Sequence, residues 1–193
     1  MENNVKPMPE QTRSRATRIL HALIAVTIVT QLALSTVMQA PGRNRPGDQW
    51  FEVHEYVGLA TLAVLAGYWI WAMVRTREVS FAMLFPWFSM SRIRNVWADL
   101  GDHLRSLGRG KLPLSEAKPL ANAVHGLGLI VATIMAVTGA AGYFLPQARS
   151  LLDVHAAVSS VMWAYLIGHA GIAVLHEIKG ERLIQRIFTF AKR

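Results

Sequence analysis

Four long apolar blocks punctuate the chain, at about 19–38, 53–74, 120–145 and 151–175, and none has Lys, Arg or Asp near its middle. About 20 mostly apolar residues in a helix cross a hydrocarbon core of about 30 Å. Each block is long enough to span. The expected fold is therefore all-α: a transmembrane four-helix bundle, one domain over residues 1–193. The first block is preceded by basic residues, as a secretory signal would be. It is longer than a signal core of about 7–15 residues and carries His21 near its start, so it reads as a retained helix. Between the second and third blocks, Ile93, Val96, Trp97, Leu100, Leu104 and Leu107 recur at helical spacing, with Arg92, Arg94, Asp99, Asp102 and Arg105 between them. This predicts a short amphipathic helix on the membrane surface, ended by Gly108 to Pro113.

Charge orients the bundle. Lys and Arg number four before the first block, eight between the second and third, and five after the fourth. The other two loops carry Arg43 and Arg45, and Arg149 alone. Positive charge is retained on the inner side, so the N- and C-termini and the long loop are expected in the cytoplasm. Trp50 and Phe51 suit one membrane interface, and Trp69 and Trp71 the other. The net charge of +8 flanks apolar blocks rather than forming a stripe, which argues for membrane lipid and against nucleic acid as partner. Only 17% of residues are charged, against about a quarter in soluble domains.

The absence of cysteine excludes disulfides, thiolate metal sites, iron–sulfur clusters and covalent C-x-x-C-H haem attachment. Histidines are what remain. Polar ionisable groups at membrane depth are costly and point to function. The fourth block carries His155 and, 14 residues later, His169. In a helix these lie about 21 Å apart along the axis and only about 40° apart in azimuth. One helix thus offers a ligand to each half of the bilayer. His54 enters the second block at the depth of His155, and His21 enters the first at the depth of His169. The pairs His54–His155 and His21–His169 would give each leaflet one iron with two axial imidazoles. His125, near the inner end of the third block, is a rival for His21 or His169, or a propionate, proton or quinone contact. His176 lies near water at the inner interface and is a candidate propionate or quinone contact. His103 reads as a surface residue. Gly58 and Gly168 lie beside the proposed ligands. Arg18, Arg75, Arg77 and Lys179 are candidates to neutralise propionates on the inner side, and Arg43, Arg45 and Arg149 on the outer.

These marks resemble the bacterial cytochrome b561 family, small four-helix di-haem cytochromes of the inner membrane. They are Arg18-Ile19-Leu20-His21-Ala22, His54-Glu55-Tyr56-Val57-Gly58, Arg75 closing the second block, Thr138-Gly139, His155, Gly168-His169-Ala170, and His176 before a basic tail. The resemblance implies two non-covalent haem b groups with axial ligands from the first, second and fourth helices. It implies electron transfer between quinone, such as ubiquinone, and other carriers. No catalytic residue is assigned beyond the ligands. The long inner loop, with Leu112-Pro113 before Leu120, is similar to members that serve a protein redox partner in a respiratory chain. Alternatives are a stand-alone superoxide:ubiquinone oxidoreductase and a non-redox anchor or transporter. A homodimer is left open.

Overall fold

The computed structural model describes residues 13–42, 44–76, 78–110, 119–180 and 182–188. Arg43, Arg77 and the Leu112-Pro113 stretch lie outside them. Four helices are long and apolar enough to cross a membrane: α1 (Arg15–Ser35), α2 (Gln49–Val74), α5 (Pro119–Phe144) and α6 (Leu151–Ile178). The long loop holds α3 (Phe81–Leu84) and α4 (Met90–Gly108), and α7 (Leu183–Phe188) follows α6. The chain is a multi-pass membrane bundle, and among the described residues no strand forms.

Local chemistry sets the helix ends. Ser14 caps α1 by accepting from the Thr17 amide, and Asp48 caps α2 by accepting from the Phe51 amide, satisfying donors that a helix start leaves open. α1 stops at Ser35, short of the predicted Met38. There the Ser35 and Thr36 hydroxyls donate back to the Leu32 and Ala33 carbonyls. Such bonds offer the backbone an alternative to continuing the helix. α6 runs past the predicted 175 to Ile178, and α7 packs back on α6 and α1. His176, in the last turn of α6, is buried, where the sequence had placed it near water.

The closest helix packings are α1 on α2, α2 on α5, and α5 on α6. The core between them is built on Leu32, Leu65, Leu129, Ala132 and Met162. Trp69 and Trp71 do more than mark an interface. The Trp69 indole donates to Thr133 (2.9 Å) and stacks on Phe85, and Trp71 donates to Thr17 (2.8 Å). The α1 start, α2 end and α5 start share one end of the bundle, the basic end.

Candidate functional site

Five of the seven histidines fall into two groups, each built around one histidine of α6. Toward the end opposite the basic one, His54 of α2 faces His155 of α6, ring centroids 6.1 Å apart and planes near perpendicular at 88°. The His155 Nδ1 lies 2.9 Å from the Met135 carbonyl of α5. A carbonyl only accepts, so Nδ1 carries the proton and Nε2 keeps the lone pair a metal needs. Gly139 makes room for this approach: a Cβ there would sit 3.1 Å from the His155 ring. His54 is approached from α1, where Gln31 Nε2 donates to the His54 carbonyl (2.9 Å). Gly58 permits that contact, since a Cβ there would come within 2.8 Å of the Gln31 amide.

At the basic end three imidazoles meet. His21 of α1 lies 6.3 Å from His169 of α6 and 6.4 Å from His125 of α5, by ring centroids. His125 and His169 are closer, at 5.1 Å. One ring nitrogen from each lies within 4.8 Å of the others. The His125 Nδ1 donates to the Ala121 carbonyl at 2.6 Å, leaving Nε2 as its free nitrogen. Tyr165 stacks on His169 at 5.4 Å with planes 8° apart.

These separations test whether a haem iron fits. An imidazole nitrogen sits about 2.0–2.1 Å from a bound metal, so rings on opposite sides of one ion have centres roughly 6 Å apart. His54–His155, His21–His169 and His21–His125 all meet that spacing, while His125–His169 is too short. Among the described residues the buried Nδ1 atoms of His21 and His54 have no hydrogen-bond partner, so on these two rings, unlike His155 and His125, no protein bond fixes which nitrogen carries the proton. The residues fit the group.

A polar cleft adjoins the three-imidazole cluster at the basic end, lined by Arg13, His21, Arg75, Glu78, Asn122 and His125 among others. Glu78 accepts from the Ser14 amide (3.0 Å) and the Thr17 hydroxyl (2.6 Å), and lies 3.7 Å from Arg75. Burial alone would raise its carboxyl; the Ser14 and Thr17 bonds and Arg75 outweigh this and hold it below the usual range. Of the sequence-predicted basic contacts, Arg75 is thus already paired on one side, with its buried Nε unpartnered among the described residues. Arg18 is half-buried, and Arg45, Arg149 and Lys179 are exposed. His103 is half-buried against Asp99, its Nδ1 2.7 Å from the Asp99 carbonyl, rather than a plain surface residue. Gly168 opens on space, with nothing near a Cβ built there.

Gln31, Glu78 and Tyr165 were not found from sequence. Gln31 carried a usable signal: an amide in the middle of an apolar span needs a partner. Tyr165 carried one too: it precedes His169 by four residues on α6, a spacing that puts two side chains side by side on one helix face.

Residues 12–190 match the model of one family, described as prokaryotic cytochrome b561. No curated protein and no solved structure matches the chain.

Proposed function

Because this chain belongs to the prokaryotic cytochrome b561 family, and so is a haem-binding membrane protein of electron transfer, we propose a di-haem role for it. It would carry electrons across the bacterial inner membrane between a quinone, ubiquinone among the candidates, and a protein redox partner. The observation that carries this reading is the pair of imidazole sites on α6, with ring separations of 6.1 and 6.3 Å at its two depths. His54 with His155 would hold one haem b and His21 with His169 the other. A bound haem supplies one-electron chemistry, its iron alternating between ferric and ferrous states.

The chain's own residues do the rest. The Met135 carbonyl fixes the His155 tautomer, and Tyr165 holds the plane of His169. Both contacts orient a ligand, and the carbonyl bond also raises the basicity of His155. Arg75, through its open Nε, and Arg18 are suited to carboxylates at the basic end by charge-assisted hydrogen bonds. Buried His176, in the last turn of α6, stays a candidate contact for a quinone headgroup. The basic end would face the cytoplasm by its excess of Lys and Arg.

A second reading is favoured by the convergence of three imidazoles: a small divalent cation at the inner cluster, since three imidazoles are a familiar donor set for zinc. One experiment separates the readings. The protein is purified in mild detergent, and its reduced-minus-oxidised spectrum, haem per chain and divalent metal content are measured. Two low-spin b haems are expected, with one lost in His54→Ala, the other in His21→Ala and in His169→Ala, and both kept in His125→Ala. Loss of the inner haem in His125→Ala, with retention in His169→Ala, would replace that pairing by His21–His125. One haem and one divalent ion per chain would favour the cation, and no haem at all would overturn the redox role.

A further inference from the structure

Outside the spans, α4 is the helix whose apolar and polar residues are most sharply separated. At about 100° per residue, Met90, Ile93, Trp97, Leu100, Leu104 and Leu107 fall within one arc of about 100°. Four of them are open: Met90 is 68% exposed, Trp97 66%, Leu104 61% and Leu107 52%. Phe88, just ahead of the helix, is 86% exposed and extends the apolar surface.

The arc has a defined place on the molecule. On one side of it lie Arg92 and Asp99, which hold the helix to its surroundings, and His103, which bonds back to Asp99. Arg92 donates to the Ala82 carbonyl (2.9 Å), and Asp99 accepts from the Leu120 amide (3.1 Å). Leu120 is in the first turn of the membrane span α5, so the middle of α4 is pinned at the level where that span begins. On the other side lie Arg94, Asn95, Asp102 and Arg105. Arg105 is paired with Asp102 at 2.9 Å, while Arg94 and Arg109 make no ion pair among the described residues. The helix thus has three faces in order: one gripping the bundle, one apolar and open, and one charged with a basic excess.

We propose that α4 seats its apolar arc in the headgroup region of a bilayer bearing anionic lipid, with Arg94, Arg105 and Arg109 toward lipid phosphates. Depth and charge both point to lipid. An apolar face pinned at the entry of a span meets the membrane boundary, where tryptophan is favoured. Basic residues at its rim complement anionic headgroups. The long stems of arginine let the charge stay in the phosphate layer while the apolar side chains go deeper.

The chain lacks cysteine, so single cysteines can be spin-labelled in the full-length protein without a background. Trp97→Cys and Leu104→Cys report the apolar arc, and Asn95→Cys and Asp102→Cys the charged face. Each is placed in nanodiscs of phosphatidylethanolamine with phosphatidylglycerol, and collisions with oxygen and with a water-soluble nickel chelate are compared. Sites 97 and 104 are expected to favour oxygen several-fold over sites 95 and 102. They should become more nickel-accessible in pure phosphatidylcholine, or when Arg94, Arg105 and Arg109 are changed together to Gln. Four equally nickel-accessible sites would overturn the proposal. So would protection of 97 and 104 from both reagents, which would mean that protein, such as a second copy, covers the arc. Unchanged depth in phosphatidylcholine would overturn the anionic preference.

Discussion

Single side chains decide how each imidazole is presented. Gly58 is the plainest case. A methyl group there meets the Gln31 amide at 2.8 Å, so Gly58→Ala should displace Gln31 from the His54 carbonyl. The Gln31 Oε1 is already buried without a partner, and stranding the rest of the amide costs about 1–3 kcal/mol. Gly58→Ala should therefore lower the thermal midpoint in detergent and shift the potential of the haem lost in His54→Ala, leaving the other unmoved. In a Gln31→Leu background the same change should cost less, since the contact is already gone. Simple additivity of the two changes would show that Gly58 does not act through Gln31. Glu78 sets a second expectation. Its folded carboxyl lies below the ordinary glutamate range, so the charged form is preferentially stabilised by folding. Its contribution is complete above the unfolded pKa and is lost as pH falls through the lowered folded value. Glu78→Gln should flatten the acid limb of a stability-against-pH curve, and an unchanged limb would show that the Ser14 and Thr17 contacts carry no charge-dependent stability.

Helix pairs impose a register that no single residue contains. Gly128, Gly139 and Gly142 of α5 receive Tyr165, His155 and Leu152 of α6 in turn. The sequence increases along one helix as it falls along the other, which is an antiparallel fit. His125 and His169 obey the same register, and that is why they meet at 5.1 Å. Small residues let two membrane helices approach closely, where packing rather than water drives association. Gly128→Ala would drive a methyl group into the Cζ and hydroxyl end of Tyr165, and overpacking of this kind costs about 1–3 kcal/mol. Since Tyr165 stacks on His169, the spectrum and potential of the haem proposed at His169 should change, while those of the haem proposed at His155 remain as in the parent. Equal changes in both would mean that the bundle as a whole had loosened.

Over the whole molecule, α6 packs chiefly on α5, yet faces α1 and α2 through histidines. Direct side-chain packing closes the bundle on one side, and imidazole pairs face each other across the other. A group that binds only the folded state stabilises it by mass action, about 2.7 kcal/mol at a free concentration 100 times its Kd. Protein made under haem limitation should unfold at a lower temperature than the loaded form. Added hemin should restore the loss in the parent and not in a His21→Ala, His54→Ala double variant. Equal midpoints with and without haem would show that the bundle closes by helix packing alone.

Much of this was legible along the chain, and the reason lies in what is local. An apolar block of sufficient length must be a helix in lipid, because its backbone has no other hydrogen-bond partner there. Within such a helix, rise and twist are fixed by its own bonds, so the sequence by itself put His155 and His169 on one face at two depths. The same periodicity set apart the arc of α4. Between helices nothing so rigid applies. The meeting of His125 with His21 and His169, the bond from Gln31 to the His54 carbonyl, and the Glu78 carboxylate against Thr17, 61 residues away, each depend on register. Close packing of side chains from distant segments sets that register, and only the tertiary structure decided it.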